Sequence, residues 1–169
     1  TSLCVVLYPP DVLFDASKSI RVVAALVERD GRYLITQRRP SAVLPLLWEF
    51  PGGRVETGES DSEALRREFS ERLGEAVRLE VGDFFFNVTA TSEIYTVRLE
   101  VGELISFVSH PYEHYTVDLY LYQCAFENAE ATLVTRAVNA FRWVTSDEFD
   151  ALPFTPADEA SMNQLLGEG

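Results

Sequence analysis

The sequence has few cysteines, fewer basic than acidic residues, and no long apolar run. Only Cys4 and Cys124 occur in 169 residues, each in apolar surroundings, so we expect buried free thiols in a reducing compartment rather than a disulfide. Lys and Arg number 14 against 27 Asp and Glu, a net charge of −13. This balance argues against a nucleic-acid polymer as partner, because such a partner requires a basic face. Without an apolar run of membrane-spanning length, we expect no membrane partner.

The amino-terminal stretch has no pattern of a targeting segment. It begins at Thr1 and lacks a basic region followed by a small-residue cleavage site, so we expect a cytoplasmic protein. Residues 1–19 hold two short apolar runs broken by Pro9 and Pro10, which indicate an extra strand or an extended arm. The length of the chain then favours a single domain over residues 20–169.

The most informative stretch is residues 47–74, which has the pattern of an apolar strand, a turn and an acidic helix. Ser60 and Glu63 have the spacing of a capping box. Gly74 stands where a left-handed carboxyl-terminal cap is expected. These signals together predict a helix over residues 61–73.

The predicted helix has an acidic edge beside its apolar one. The apolar stripe faces the core and consists of Leu65, Phe69 and Leu73. Glu68 and Glu71 share the neighbouring edge, where surface glutamates are ordinarily only solvated. The Gly52-Gly53 turn ahead of the helix changes this interpretation, because glycine lets the backbone approach a ligand closely. Two carboxylates and a loop carbonyl suit a hard cation such as Mg²⁺, which keeps water and substrate phosphate as further ligands.

The spacing over residues 53–75 resembles the Nudix box of the Nudix hydrolases. The matching positions are Gly53, Glu59, Arg67, Glu68, Phe69, Glu71 and Gly74. The resemblance implies an α/β (α+β) Nudix fold of MutT type, in which a mixed β-sheet is sandwiched between helices. It also implies a divalent metal, Mg²⁺ with Mn²⁺ as a substitute, and cleavage of a pyrophosphate linkage in a small nucleotide substrate.

Roles for individual box residues follow from the same resemblance. Glu68 and Glu71 match the catalytic and metal-binding glutamates, and the Gly52 carbonyl matches a backbone metal ligand. Glu59 and Arg67 correspond to residues that brace the loop against the helix. The spacing leaves open which glutamate is the base.

Two box positions depart from the family pattern, and Glu75 is one of them, since the family usually has an apolar residue there. Arg72 stands where the family usually has a further glutamate, often a principal metal ligand. The helical wheel places Arg72 one turn after Glu68, so its guanidinium can pair with Glu68 or reach a substrate phosphate. We therefore expect weakened metal affinity. A nucleotide-binding domain without turnover is the alternative of another class.

Two arginines before the box are predicted to face the substrate. Residues 20–39 have the pattern of a β-hairpin that turns at Asp30-Gly31. Arg38 and Arg39 close its second strand, where the family often directs an arginine at the substrate. An ordinary surface position is an equal alternative for both.

Two further residues are predicted to contact the base. Phe50 alternates with Glu49 and faces the same side as Trp48, either in the core or in a base pocket. Asp158 opens a final helix to about residue 166, and it matches a polar residue that hydrogen-bonds the base edge in MutT-like relatives. It also suits a helix amino terminus. The preceding chain predicts a strand over 140–144 and a short helix capped by Ser146.

Residues 77–96 and 97–116 resemble each other, with ten identities in twenty positions. This similarity predicts a tandem duplication that adds a hairpin or a longer sheet edge. The addition either covers part of the nucleotide cleft, forms a dimer contact, or merely extends the sheet. Monomer and homodimer both stay open.

The second copy leads into a predicted half-buried strand over 115–126. His110 and His114 lie ahead of it and are interpreted as strand-end or substrate-side residues. In the loop that follows, Glu127 and Glu130 are candidates for a further metal ligand.

These patterns together favour a Mg²⁺-dependent hydrolase that cleaves nucleoside triphosphates, chiefly modified or non-canonical (d)NTPs, to monophosphate and pyrophosphate. A hydrolase of nucleoside-diphosphate sugars or dinucleoside polyphosphates is the enzymatic alternative.

Overall fold

The computed structural model describes residues 18–74, 76–82, 89–95, 98–127 and 133–167, with backbone only between 76 and 95. Residues 1–17 of the predicted arm over 1–19, Cys4 among them, and Glu130 therefore lie outside the described residues. The elements in chain order are β1 Ser19–Arg29, β2 Arg32–Gln37, β3 Trp48–Glu49, β4 Gly52–Arg54, α1 Asp61–Leu73, β5 Ala76–Gly82, β6 Thr89–Tyr95, β7 Leu99–Pro111, β8 Thr116–Phe126, β9 Ala140–Val144, a 3₁₀ helix Ser146–Ala151, and α2 Pro156–Leu166.

A mixed seven-stranded sheet forms the centre of the molecule. Its strands follow the order β3-β2-β1-β8-β7, with β4 paired to β1 and β9 paired to β2. β1 and β8 run parallel, and the other pairs in this sheet are antiparallel. Asp30 and Gly31 both have positive φ, 53° and 72°, which confirms the tight turn between β1 and β2.

Helices cover both faces of this sheet, which confirms the predicted mixed α+β fold. On one face α1 buries its predicted stripe of Leu65, Phe69 and Leu73. On the other face α2 packs with Trp48 and Phe50, which confirms that these two aromatics share a side. None of the helices in the described ranges is long and apolar enough to cross a membrane.

β8 has the half-buried pattern that its alternation predicts. Leu119 and Leu121 pack in the core on the α2 side. Tyr120 and Tyr122 are only partly buried, against the core on the α1 side. The strand spans Thr116–Phe126, which confirms the predicted strand over 115–126 to within one residue.

α1 begins as its sequence predicts. The Ser60 amide donates to the Glu63 carboxylate at 2.8 Å, and the Glu63 amide donates to Ser60 Oγ at 3.3 Å. These reciprocal bonds form the capping box, and the helix starts at Asp61.

The end of α1 corrects the prediction for Gly74, which is extended (φ −84°, ψ 140°) rather than left-handed. The last carbonyls of the helix have other donors. The Val134 amide donates to the Leu73 carbonyl at 2.9 Å, and the Arg136 amide donates to the Arg72 carbonyl at 3.0 Å. A left-handed turn is not required where a neighbouring segment satisfies these groups.

The two similar segments adopt different structures. Residues 76–82 and 89–95 form a separate two-stranded antiparallel sheet, β5-β6. Residues 99–111 instead form one strand, β7, whose pairing to β8 has register shifts between Val101 and Ser106. An antiparallel strand pair is thus present, while the tandem duplication that would have added it stays a prediction.

The carboxyl-terminal elements follow the prediction apart from one cap. β9 spans Ala140–Val144, as predicted. The short helix is a 3₁₀ helix, and its cap is Thr145 rather than Ser146. The Thr145 amide donates to the Glu148 carboxylate at 2.8 Å, so the capping pair lies one residue earlier than predicted.

Candidate active site

A cleft opens beside the glycine turn, and this cleft is the candidate site. Aliphatic residues of β1 and β8 line part of it, together with Gly52 and Gly53 of the turn. Its charged lining residues come from separate parts of the chain: Arg38, Glu49, Arg54, Arg72 and Asp158. Sequence-distant charges therefore meet at one place.

The turn requires glycine at both positions because two other parts of the chain press against it. A Cβ on Gly52 would overlap the backbone of Val23 and Ala24 in β1. A Cβ on Gly53 would overlap the carboxylate of Glu68. Glu68 therefore points at the turn, as the box pattern predicts.

An ion-pair chain, formed by Arg38, Glu49, Arg72, Glu68 and Arg67, connects the cleft to α1. Arg38 Nη1 lies 2.8 Å from Glu49 Oε2, and Arg72 Nη1 lies 3.4 Å from Glu49 Oε1. Arg72 Nε lies 2.6 Å from Glu68 Oε2, and Arg67 Nη1 lies 2.9 Å from Glu68 Oε1. Each carboxylate of the chain thus lies between two guanidinium groups, which compensates its charge.

Arg67 braces the loop against the helix, which confirms the predicted structural role. Its Nε and Nη2 atoms contact the Glu59 carboxylate at 2.7 and 3.0 Å. Nη2 also donates to the Arg54 carbonyl at 2.9 Å. The Arg67 hydrogen bonds hold the pKa of Glu59 below its usual range and raise the pKa of Arg67 itself. The box loop is therefore fixed by charge-assisted bonds.

The carboxylates of the box do not fit a divalent cation in the arrangement observed. Each oxygen of Glu68 already accepts from an arginine. Glu71 has a side chain that is 54% exposed, and its contact with Arg67 Nη1 is long at 3.5 Å. Across the described ranges, no three or more His, Cys, Asp or Glu side chains gather as a metal site. The roles of Gly52, Glu68 and Glu71 as metal ligands therefore stay predictions.

Asp158 lies in the cleft and is almost fully buried, with 6% of its surface exposed. It accepts hydrogen bonds from the Phe50 amide at 2.9 Å and from the Thr155 hydroxyl. Burial raises the pKa of Asp158 to about 7, and the negative charge of Glu49 adds to the shift. The Thr155 hydroxyl and the Phe50 amide act in the opposite direction. Asp158 thus titrates near neutral pH.

Phe50 packs in the core and also lines the cleft, while its contact with a base stays a prediction. Its side chain is 2% exposed and meets the ring of Phe149 edge-on, with centroids 6.1 Å apart. Phe50 also lines the cleft, and its backbone amide holds Asp158.

Other predicted residues are not among those that line the cleft. Arg39 lines an adjoining pocket with Arg38, Glu49 and Arg72, and it donates to the backbone carbonyl of Arg136. Glu127 is exposed, and its amide donates to the Arg98 carbonyl at 3.0 Å. His110 meets Tyr112 edge-on with centroids 4.8 Å apart. His114 Nε2 lies 3.8 Å from an oxygen of Glu113, and both side chains are exposed.

Sequence reasoning missed Glu49 and the two tyrosines of the cleft. Glu49 bridges Arg38 and Arg72. The sequence did contain a signal for this role, because Glu49 stands between the buried aromatics Trp48 and Phe50. Alternation along a strand directs its side chain to the opposite side from theirs. Tyr112 and Tyr115 stack with centroids 5.1 Å apart. No local pattern points to these tyrosines, because they reach the cleft only through the parallel β1-β8 pairing.

The fold and the glycine-turn site together match a known family. A family model described as a NUDIX domain covers residues 22–164. The chain belongs to the Nudix family. Among solved structures, the DNA mismatch repair protein MutT of methicillin-resistant Staphylococcus aureus 252 superposes with a TM-score of 0.60 and 32% identity, covering 90% of this chain and 98% of that chain.

Two curated relatives share a shorter part of the sequence. Over 67 residues the chain is 48% identical to CTP pyrophosphohydrolase of Escherichia coli (strain K12), which covers 40% of this chain and 48% of that protein. Over 76 residues it is 38% identical to nucleoside triphosphatase NudI of Escherichia coli O139:H28 (strain E24377A / ETEC), which covers 44% and 54%. The chain spans about half the length of the curated relatives it matches.

Proposed function

We propose that the chain hydrolyses nucleoside triphosphates to monophosphate and pyrophosphate, with modified or non-canonical (d)NTPs as favoured substrates. The observation that carries the proposal is that Arg38 and Arg72 line the same cleft as Gly53 and Asp158. Guanidinium groups suit phosphate oxygens, because their planar fork donates in pairs. The names of the two curated relatives, a pyrophosphohydrolase and a nucleoside triphosphatase, support this substrate class.

Asp158 is the residue proposed to select the base. Its carboxyl is held by a backbone amide and a neighbouring hydroxyl, so its direction is fixed before a ligand enters. The cavity measures about 190 Å³, below the roughly 300 Å³ at which drug-sized pockets begin. We therefore expect the closed part of the cleft to hold the base, with the phosphates extending toward Arg38 and Arg72.

The proposed reaction is attack of water on phosphorus, with cleavage of the bond between the α and β phosphates. Arg38 and Arg72 supply positive charge where the leaving pyrophosphate develops negative charge. Glu71 is the accessible box carboxylate, and in this proposal it accepts the proton of the attacking water. Glu68 positions Arg72 through the 2.6 Å contact.

No step of this reaction is assigned to a divalent metal, because the described carboxylates do not fit one as they stand. A dependence of turnover on Mg²⁺, with Mn²⁺ as substitute, remains what membership of the family predicts.

A second function is nucleotide binding without turnover. The contact of Arg72 with Glu68 favours it, because a cation then lies on a carboxylate that the family uses for catalysis. In both cases the partner is a small nucleotide. The protein acts as a monomer or a homodimer.

The test is a panel of canonical and modified nucleoside triphosphates, incubated with Mg²⁺ or Mn²⁺, with pyrophosphate release measured. Release that falls at least about 100-fold in Glu71→Gln supports hydrolysis with Glu71 as the proton acceptor. Glu28→Gln is the matched control, since Glu28 is an exposed glutamate at the far end of β1. Saturable binding without release by the natural sequence, together with release by Arg72→Glu, would replace hydrolysis by the binding function.

A further inference from the structure

Arg72 is held in the cleft at both its backbone and its guanidinium. Its carbonyl accepts from the amides of Arg136 and Ala137 at 3.0 and 3.4 Å. Its Nε and Nη1 atoms contact Glu68 and Glu49 at 2.6 and 3.4 Å. Both ends of a long side chain are therefore restrained, so little conformational entropy remains to be lost when a ligand binds.

The guanidinium of Arg72 still has donors for an incoming anion. An arginine side chain carries five N–H donors, and Glu68 and Glu49 account for contacts at two nitrogen atoms. The side chain is 26% exposed and lines the cleft. Arg38 lines it as well, on the other side of Glu49. The two arginines thus present a pair of fixed positive charges to the same space.

A divalent ion at this place would have to compete with arginines for the carboxylates. Glu68 and Glu49 are 10% and 12% exposed at their side chains, and each contacts two guanidinium groups. A metal that bound Glu68 would have to share its oxygens with Arg67 and Arg72 and would meet the repulsion of these two cations. The position is already neutralised by the chain itself.

We infer that Arg72 takes the place of a divalent cation as the phosphate-binding charge of this cleft, so that the chain binds nucleotide phosphates directly, through Arg38 and Arg72, without a metal ion. This inference rests on the proposed nucleotide substrate and concerns how its phosphates are held. It separates binding, which needs no metal, from any metal requirement of turnover.

The test is calorimetric titration of a nucleoside triphosphate analogue with a methylene group between the α and β phosphorus atoms, in EDTA and in Mg²⁺. For the natural sequence the two dissociation constants should agree within about threefold, which is less than 1 kcal/mol. Arg72→Glu should weaken binding in EDTA by at least about tenfold, and Mg²⁺ should recover it. Arg32→Glu is the control, since it makes the same charge change on an exposed residue at the hairpin turn.

A second readout uses the metal alone. Titration with Mn²⁺, followed by electron paramagnetic resonance, should show at least about tenfold tighter binding to Arg72→Glu than to the natural sequence. If Arg72→Glu fails to fold, the comparison of EDTA with Mg²⁺ on the natural sequence still decides.

Binding by the natural sequence that appears only with Mg²⁺ would overturn the inference and leave the nucleotide substrate standing. Equal Mn²⁺ affinity in the two proteins would overturn it as well. Failure of both the analogue and inorganic tripolyphosphate to bind under either condition would remove the proposed function too.

Discussion

Asp158 and Glu68 are two carboxylates with almost the same burial, 6% and 8% exposed, on helices α2 and α1, which pack on opposite faces of the sheet. Asp158 is held by an amide and a hydroxyl, which carry no charge. Glu68 is held by two arginines. Burial disfavours the ionised carboxylate at both positions, but only the charge of Glu68 is compensated by positively charged partners.

The partners decide what each carboxylate can do. Asp158 has no compensating cation in direct contact among the described residues, and its pKa is raised to about 7. It can therefore exchange a proton near neutral pH, which supports its proposed role at a base edge. Glu68 belongs to a charge-paired network, and its removal deprives Arg67 and Arg72 of a shared anion.

The largest effect should come from Glu68→Gln, which keeps the shape and removes the charge. Arg67 and Arg72 would lose their shared anion while remaining about three-quarters buried. We expect a loss of about 3 kcal/mol in the free energy of unfolding at pH 7, at the low end for a broken buried pair. Urea denaturation measures it. A loss no larger than that of Glu28→Gln would show that the ion-pair chain does not stabilise the fold.

The corresponding change at the second buried carboxylate, Asp158→Asn, should alter the pH dependence of the free energy of unfolding. The folded pKa of about 7 lies above the unfolded value near 3.9, so the folded chain retains a proton that the unfolded chain releases. The free energy of unfolding of the natural sequence should therefore fall by about 2 kcal/mol between pH 5 and pH 7.5. Asp158→Asn should not show this fall.

Carboxyl groups whose pKa values are lowered do not account for the expected fall in stability between pH 5 and pH 7.5. Hydrogen bonds lower the pKa values of Glu59, Asp61, Asp118 and Glu148, whereas burial raises the pKa of Asp158. A natural sequence with constant stability from pH 5 to pH 7.5 would contradict the neutral titration of Asp158.

Gly53→Ala should affect the Glu68 carboxylate and not Asp158. The new methyl group overlaps a side-chain carboxylate rather than backbone, so Glu68 can turn away and the fold survives. We expect a loss of about 1.5 kcal/mol in unfolding free energy. A double-mutant cycle with Glu68→Gln tests the cause, because two changes that act on one contact are not additive. Additive losses would show that Gly53 matters for another reason.

The smallest effect should come from the two helix caps, Thr155→Ala and Ser60→Ala. Each removes one amino-terminal cap and should cost about 1 kcal/mol. The Thr155 hydroxyl also donates to Asp158 and lowers its pKa. Thr155→Ala should therefore move the stability change of Asp158 to higher pH, whereas Ser60→Ala should not. Equal pH profiles for the two variants would show that the Thr155 hydroxyl does not influence the pKa of Asp158.

The site could be predicted from the sequence where its geometry is local. Helix α1 starts and ends at the predicted residues because Ser60, Glu63 and the apolar stripe act within a few positions of one another. The contact between Arg72 and Glu68 follows from one helical turn. The brace from Arg67 to Glu59 follows from the box spacing.

The rest depends on contacts between distant segments. The conformation of Gly74 is set by donors from residues 134–137, sixty positions later. Glu49 belongs to the site because it forms ion pairs with both Arg38 and Arg72, which come from other segments of the chain. The repeated hexapeptide at 77–82 and 97–102 shows the limit most directly, since one copy lies in a hairpin and the other belongs mostly to a sheet strand. Pairing partners, and not intrinsic preference, decide between them.

The parallel pairing of β1 with β8 has a consequence for biosynthesis. Ser19 bonds to Asp118, 99 positions later, and this pairing joins the first strand to the chain that carries Tyr112 and Tyr115 into the cleft. A nascent chain released before β8 would possess the box helix without a complete pocket around it. Long-range strand pairing of this kind also forms slowly. Ribosome-bound intermediates should therefore acquire ligand affinity only after most of the polypeptide has emerged.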